Sequence, residues 1–202
     1  MENVNNLPKD SGATREFSTG AHRDAKDPSK GDWGLMPLGE VSKVYLRIAR
    51  EFVDDTNGRD VNVVKVTNYP NIVEEFITED NARHVFFESI SRFTRDHDVN
   101  HLVDAIVAAK VSLDEYKEHT FEYMFTDVSI LYLAGAMKYG RNNWKKGMPL
   151  ECYLDSGMRH YCKAREGIKD EPHYRGPIWN LLGAMWTVSH VENALDDLEI
   201  ME

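Results

Sequence analysis

The most unusual stretch of this sequence is residues 138–147, which read Lys-Tyr-Gly-Arg-Asn-Asn-Trp-Lys-Lys-Gly. It gathers cations in a chain whose formal charge is −10. Arginine and lysine hold phosphate oxygens, an aromatic ring can stack on a base or a sugar, and an amide can hydrogen-bond to a purine edge. The stretch therefore predicts a site for a phosphorylated ligand. The alternative is a solvated loop whose Trp144 fills a gap in the core. The candidate ligand-binding residues are Lys138, Tyr139, Arg141, Asn142, Asn143, Trp144, Lys145 and Lys146.

A second candidate group lies on a helix predicted at about 150–165. Asp155, Arg159 and Glu166 share one face, because steps of four and seven residues return to nearly the same angle. Asp155 and Arg159 form a surface ion pair by default, and a functional Arg159 would instead clamp phosphate. His160 can be a metal ligand, a general base or a structural histidine. The candidate catalytic residues are His160, Asp155 and Glu166.

Acidic residues and a histidine are concentrated just after this helix, at Asp170, Glu171 and His173. Carboxylates and imidazoles are suitable ligands for a divalent ion. Together with Asp155 they predict a Mg²⁺ site, in which the ion keeps its other positions for water and phosphate oxygens. A polar turn between two helices has the same composition and is the alternative.

The last predicted helix, at about 177–200, is apolar nearly all round and must therefore be buried. Its polar positions form a narrow stripe at steps of three or four: Asn180, Gly183, Thr187, His190, Asn193 and Asp197. A polar stripe on a buried helix faces water or lines a site. We expect Asn180, near the start of the helix, to take part in ligand binding.

The remaining elements predict a mainly α fold. Residues 1–34, punctuated by Gly and Pro, make an extended, irregular N-terminal arm, with disorder as the alternative. Residues 35–202 form one compact helical domain. Residues 61–66 favour one short β-strand or hairpin, closed by Pro70. Apolar residues at steps of three or four predict further helices at about 37–55, 71–78, 79–95, 98–111 and 113–139.

Composition narrows the function classes. With 202 residues, of which 42% are hydrophobic, the chain can bury the core of one ordinary domain. Its pI of about 5.3 disfavours stable binding to nucleic acid. Cys152 and Cys162 would lie about 15 Å apart along one helix, so they cannot pair and are expected to be reduced. The chain has neither an apolar run of roughly 20 residues nor the start of a signal peptide, so we expect a cytoplasmic protein that does not bind membranes.

Several segments stand in the order seen in a known family of phage proteins. They read Thr19-Gly-Ala-His-Arg-Asp24, Gly34-Leu-Met-Pro37, Ala134-Gly-Ala-Met-Lys-Tyr-Gly-Arg-Asn-Asn-Trp144, Asp155-Ser-Gly-Met-Arg-His160 and Trp179-Asn180. The sequence resembles the phage dATP/dGTP diphosphohydrolase N-terminal-domain family over roughly residues 18–50 and 127–190. Residues 52–126 then form a helical insertion. The resemblance implies a helical fold. If the protein is encoded by a phage, we expect it in the host cytoplasm.

The resemblance also implies work on purine deoxynucleoside triphosphates. The related MazG-like pyrophosphohydrolases hydrolyse a triphosphate to monophosphate and pyrophosphate with Mg²⁺, so we expect the same reaction here. Water would attack a phosphoryl group while Arg141, Lys145, Lys146 and Arg159 hold the phosphates. His22 and Arg23 fall in a family motif, which suggests that the N-terminal arm folds over the site and contacts the substrate. A homo-oligomer is expected, with the insertion as one candidate interface.

Three other interpretations compete with this one. A binding protein that sequesters a nucleotide or a host immune signal needs the same cations and aromatic rings but no metal ligands. An HD-type phosphohydrolase is suggested by His84, His97 and Asp98, although their spacing is too short for that ligand set. The last alternative is a purely structural interaction protein.

Overall fold

The computed structural model describes residues 14–16, 18–20, 22–24, 28–54, 64–67, 74–196 and 198. In these ranges the chain forms six α-helices: α1 (Leu38–Asp54), α2 (Ala82–Asp96), α3 (Val99–Ser112), α4 (Phe121–Tyr139), α5 (Leu150–Arg165) and α6 (Arg175–His190). It also forms four short strands: β1 (Thr14–Glu16), β2 (His22–Asp24), β3 (Val64–Thr67) and β4 (Glu74–Ile77). The prediction of a mainly α fold is confirmed. The helices predicted at 37–55, 79–95, 98–111 and 150–165 appear within a few residues of their predicted bounds.

The strands form two antiparallel hairpins, β1 with β2 and β3 with β4. The strand predicted at 61–66 is confirmed from residue 64 by β3, which pairs Val64 with Ile77 of β4, while residues 61–63 lie outside the described residues. The helix predicted over 71–78 is therefore wrong. A short segment of this kind fits both periodicities, and here pairing with β3 decides for the strand.

Helix α3 lies in the centre of the hydrophobic core. Every residue from 101 to 109 is buried, and α3 packs against α2 and α6. A buried ion pair connects it to α1, because Arg47 Nη2 lies 2.6 Å from Asp104 Oδ1. Burial of the apolar side chains of α3 against its neighbours is the main source of folding stability. It also holds α6 in place from one side.

Helix α6 is buried as predicted, but it ends at His190 and not near residue 200. Val191 is extended, and its N–H donates to the carbonyl oxygen of Thr187 as a cap. Two residues later Asn193 takes a left-handed conformation with φ of 59°. Left-handed Asn residues are common just after a helix, so Asn193 was the signal for this end in the sequence.

Helices α5 and α6 approach each other closely at Gly183. A Cβ at this position would lie 2.5 Å from Cε1 of Tyr153, which is too close for any real contact. The absence of a side chain at Gly183 therefore lets the buried ring of Tyr153 lie against α6. This contact sets the spacing of the two helices that carry most of the candidate site.

The part of the N-terminal arm next to α1 lies on α4. Trp33 Nε1 donates to Thr126 Oγ1 at 3.2 Å, and Leu35 is buried beside it. The side chains of His22 and Arg23 lie outside the described residues, so their predicted contact with substrate stays a prediction. Within the described ranges, no helix is long and apolar enough to cross a membrane.

Candidate active site

The C-terminal half of α4, the turn at Asn143–Lys146, one face of α5 and the start of α6 enclose a pocket of about 810 Å³. Small-molecule sites typically occupy 300–1,000 Å³, so this pocket has the size of a ligand site. Helix α5 contributes Cys152, Ser156 and His160. These residues are four apart, so they form one line along the helix. Predicted binding residues from the 138–147 stretch and Asn180 line the same pocket.

Trp144 fixes the turn that closes one side of the pocket. Its Nε1 donates to the carbonyl oxygen of Leu35 at 2.8 Å. Its ring packs edge-on against Tyr132 and Trp186, with centroids 5.7 and 5.1 Å away. Both interpretations of Trp144 thus have support, because the residue packs against the core and also lines the pocket.

Tyr132, Trp144 and Trp179 line this side of the pocket, and we call these three rings the aromatic wall. The ring centroids of Tyr132 and Trp179 are 5.7 Å apart. Among the described residues, none accepts a hydrogen bond from the buried Nε1 of Trp179. A buried donor without an acceptor costs about 1–3 kcal/mol. A ligand atom that reaches this nitrogen would remove that cost.

The cations of the 138–147 stretch divide into two groups. Lys138 and Lys146 line the pocket, and both are exposed. Arg141 does not line it and lies 3.9 Å from Asp32 Oδ2, while Lys145 lies over the Trp144 ring at 5.5 Å. Two cations are therefore placed for direct contact with a ligand.

Two histidines and a glutamate meet at the other side of the pocket. We call this group the His160 cluster: His160, Glu171 and His173, with one ligand atom of each within 4.8 Å of the others. The two Nδ1 atoms of His160 and His173 are 2.9 Å apart. Glu171 Oε1 lies 3.2 Å from His173 Nδ1 and 3.8 Å from His160 Nδ1. His160 and Glu171 line the pocket, whereas His173 is buried behind them.

Asp170 orients the buried imidazole of His173. Its Oδ1 lies 2.5 Å from His173 Nε2, and this hydrogen bond lowers the pKa of the Asp170 carboxyl below its usual value. The carboxylate is thus charged and accepts the Nε2 proton, so Nδ1 of His173 presents its lone pair. The hydrogen between the two rings is then on Nδ1 of His160. An ion that binds both Nδ1 atoms would take the place of this hydrogen, with His160 protonated at Nε2 instead.

Burial lowers the pKa of His160, and the positive charges of neighbouring side chains add to this effect, while the charge of Glu171 opposes it. The imidazole is therefore neutral at physiological pH, as a metal ligand or a general base requires. Gly176, the second residue of α6, fixes its position. A Cβ on Gly176 would lie 2.5 Å from His160 Cγ, so the ring rests directly on the backbone of α6.

Asn180 holds the same region together. Its Nδ2 donates to the carbonyl oxygen of Gly176 at 2.8 Å and to Ser156 Oγ at 3.4 Å. Asn180 is buried and lines the pocket, so it connects α5 to the first turn of α6 at the site.

Three residues predicted for the site lie elsewhere. Asp155 and Arg159 are exposed and form an ion pair at 3.4 Å, the default interpretation of their spacing. Glu166 is exposed at the C-terminal end of α5. None of the three lines the pocket, because the face of α5 that reaches it carries Ser156 and His160 instead.

The structure adds residues that the sequence did not single out. Tyr132, Ser156 and Trp179 line the pocket, and Gly176 supports His160. The four-residue spacing of Cys152, Ser156 and His160 was the available signal. Trp179 stood in a segment that carries the family resemblance, but it was not named as a binding residue. Tyr132 gave no signal, since aromatic residues on apolar helices are usually core.

The HD-type interpretation gains no support. His84, His97 and Asp98 are exposed on α2 and at its end. Within the described part of the chain, these three residues do not form a group of converging ligand atoms, whereas the residues of the His160 cluster do.

Comparison with known proteins agrees with the location of the pocket. Residues 118–197 match the family model described as dATP/dGTP diphosphohydrolase, N-terminal. This segment of the chain is therefore similar to that family, as the sequence resemblance indicated. Every pocket-lining residue except Leu35 falls within the match, whereas residues 18–50 lie outside it. No curated protein and no solved structure matched the chain.

Proposed function

We propose that this protein binds a purine (deoxy)nucleoside triphosphate in the pocket and hydrolyses it to the monophosphate and pyrophosphate with a divalent metal. One observation carries the proposal: a single pocket joins an aromatic wall, two lysines and the His160 cluster. The name of the matching family, dATP/dGTP diphosphohydrolase, supports the substrate class.

The aromatic wall is suited to the base. Tyr139 is an exposed ring at the end of α4, and Trp144 and Trp179 offer partly buried rings within the pocket. A purine has a larger face to stack than a pyrimidine, and stacking on aromatic side chains contributes about 1–3 kcal/mol per base. Asn142 and Asn143 also line the pocket and can hydrogen-bond to the base edge.

The phosphates would be held by charge. Lys138 and Lys146 supply cations at the pocket surface. Gly176 brings the first turn of α6 to the same pocket, and a helix start carries partial positive charge. The N–H groups of Arg175 and Gly176 already donate to backbone carbonyl oxygens, so the contribution of α6 is its dipole. These groups offset the charge of a triphosphate within an acidic protein.

The His160 cluster fits a divalent ion, because two imidazole nitrogens and a carboxylate oxygen converge on one point beside the pocket. Such an ion, when bound, lowers the pKa of a coordinated water and neutralises charge on the phosphate. In the reaction the water oxygen forms the new bond to phosphorus, the bond to the pyrophosphate oxygen breaks, and the water proton passes to solvent. The aromatic wall would hold the base at the side of the pocket opposite the His160 cluster, and Asp170 would keep His173 in the tautomer with an unprotonated Nδ1.

A substrate panel tests the proposal. The purified protein is incubated with Mg²⁺ or Mn²⁺ and each common dNTP and NTP, and the products are separated by anion-exchange chromatography. We expect purine monophosphate plus pyrophosphate. Recovery of every nucleotide unchanged, with one of them raising the melting temperature, would overturn hydrolysis in favour of a sequestering protein.

A further inference from the structure

We propose that the His160 cluster is a transition-metal site, which binds a divalent first-row transition ion through the Nδ1 atoms of both imidazoles in preference to Mg²⁺. This deepens the proposed function, on which it rests for the role of the metal. The binding of the ion itself can be measured without any nucleotide.

The donor atoms decide the class of metal. Mg²⁺ prefers oxygen ligands and keeps most of its water. The affinity of imidazole nitrogen for divalent first-row ions instead rises from Mn²⁺ to Cu²⁺ and is lower again for Zn²⁺. Two of the three donors here are imidazole nitrogens, and the third is Glu171 Oε1. The Mg²⁺ expected from the sequence fits the carboxylates alone and leaves the two nitrogens without a role.

The spacing of the donors fits one shared ion. Two nitrogen ligands at about 2.05 Å from an ion and at a right angle to each other are about 2.9 Å apart. The Nδ1 atoms of His160 and His173 are 2.9 Å apart. Tetrahedral ligands would be roughly 3.4 Å apart, close to the 3.2 Å between Glu171 Oε1 and His173 Nδ1. The longer 3.8 Å to His160 can be closed by rotation of the exposed Glu171 side chain.

The support around the donors is that of a metal site. Imidazoles that bind metals usually donate their other N–H to a carboxylate or carbonyl, which fixes the tautomer. His173 Nε2 has this partner in Asp170, at 2.5 Å. Gly176 holds the His160 ring against α6, so both imidazoles are positioned before an ion arrives. Glu171 and His160 face the pocket, which leaves the remaining coordination positions to water or a phosphate oxygen.

Titration with Co²⁺ tests this inference. Protein stripped with a chelator is titrated with Co²⁺ in the absence of nucleotide, and the visible absorption of the ion reports nitrogen coordination. We expect one equivalent to bind and to resist displacement by millimolar Mg²⁺. His160→Gln and Glu171→Gln should each weaken Co²⁺ binding at least tenfold.

The matched control is His84→Gln, the same change at an exposed histidine in the first turn of helix α2. This variant should bind Co²⁺ like the wild type. Circular dichroism establishes whether each variant folds. If His160→Gln does not fold, the Co²⁺ affinity of Glu171→Gln, which changes an exposed residue, tests the metal site instead. Co²⁺ binding that is equally tight in wild type and Glu171→Gln, or absent from the wild type, would overturn the inference.

The result is separable from the proposed function. Nitrogen-coordinated Co²⁺ without hydrolysis of any nucleotide would support the metal site and refute the enzyme. Hydrolysis with Mg²⁺ alone by a protein that does not bind Co²⁺ would refute the metal site and leave the enzyme intact.

Discussion

Two polar clusters lie on either side of the first turn of α6, and they differ in how their polar atoms are used. In the first, which we call the Asp127 cluster, Asp127 accepts two hydrogen bonds from Arg175, at 2.9 and 2.6 Å, and one from Tyr116 at 2.8 Å. The aromatic ring of Tyr174 covers the Arg175 guanidinium. The carboxylate is saturated by partners within the protein, and no part of the cluster lines the pocket.

His173, the last residue of the His160 cluster, is only two residues before Arg175, yet this cluster is arranged in the opposite way. Its donor atoms converge on each other at the wall of a pocket, and a single hydrogen bond joins the two imidazoles. A saturated cluster fixes the fold, whereas converging ligand atoms beside a cavity are placed for something that enters it. Burial of polar side chains therefore does not by itself mark a functional site. Ligand atoms that converge beside a cavity do mark one.

Removal of Asp127 should have the largest effect on stability. Asp127→Ala leaves Arg175 and the Tyr116 hydroxyl without their shared acceptor, and breaking a largely buried ion pair costs about 3 kcal/mol. Urea unfolding measures the loss. The control is Asp155→Ala, which breaks an exposed ion pair and should cost under about 1 kcal/mol. Equal losses for the two variants would contradict the structural role of the Asp127 cluster.

Gly176→Ala should damage the site more than the fold. The new methyl group would overlap the His160 ring, so we expect a loss of about 2 kcal/mol and a displaced imidazole. Gly183→Ala is matched to it, because it creates a similar overlap with Tyr153 on the same helix. Unfolding and turnover are measured for both. Gly183→Ala changes the spacing of α5 and α6 and should lower turnover somewhat, whereas Gly176→Ala should lower turnover per folded molecule at least about tenfold further. An equal fall in both would show that His160 needs no precise position beyond the helix spacing.

Asp170→Asn should have a moderate effect confined to the His160 cluster. The amide oxygen can still accept from His173, but the charge that fixes its tautomer is gone, so metal affinity should fall about tenfold. Asp170 is exposed, and the melting temperature should stay within the error of the measurement. Isothermal titration with Mn²⁺ or Zn²⁺ gives the affinity. A drop in melting temperature with unchanged affinity would assign Asp170 to the fold instead.

Lys138→Ala should have the smallest effect of this series. An exposed lysine contributes a screened charge to phosphate binding, so KM should rise about threefold with little change in kcat. The difference between the variant and the wild type should shrink as salt is added. A kcat that falls while KM stays constant would mean that Lys138 acts in the reaction and not in binding.

Much of the fold followed from the sequence, because helices α1, α2, α3 and α5 carry strong apolar periodicity. The helix predicted at 71–78 failed because a short segment takes its structure from its partner strand. The end of α6 was placed too far along because apolar residues continue past His190, and the left-handed Asn193 decides where the helix stops.

The sequence predicted several of the residues at the pocket but not how they are arranged. The sequence pointed to Trp144, His160, Glu171, His173 and Asn180, and the structure brings them around or directly behind one pocket. The spacing of Asp155 and His160 already indicated that they face apart, because five residues correspond to about 140° around a helix. The sequence could not show that His160 and His173 meet, because their contact depends on how closely α6 approaches α5 at Gly176. The Mg²⁺ cofactor, the homo-oligomer and the insertion at 52–126 stay predictions.

The most direct test of the His160 cluster is to measure turnover of a purine deoxynucleoside triphosphate by His160→Gln. His84→Gln and the wild type are measured alongside it at equal amounts of folded protein. If His160 acts at the reacting phosphate, kcat/KM falls at least about 100-fold in His160→Gln, the melting temperature changes little, and His84→Gln behaves as the wild type. Wild-type turnover in a folded His160→Gln variant would contradict the account, because the His160 cluster would then be a structural cluster like that of Asp127.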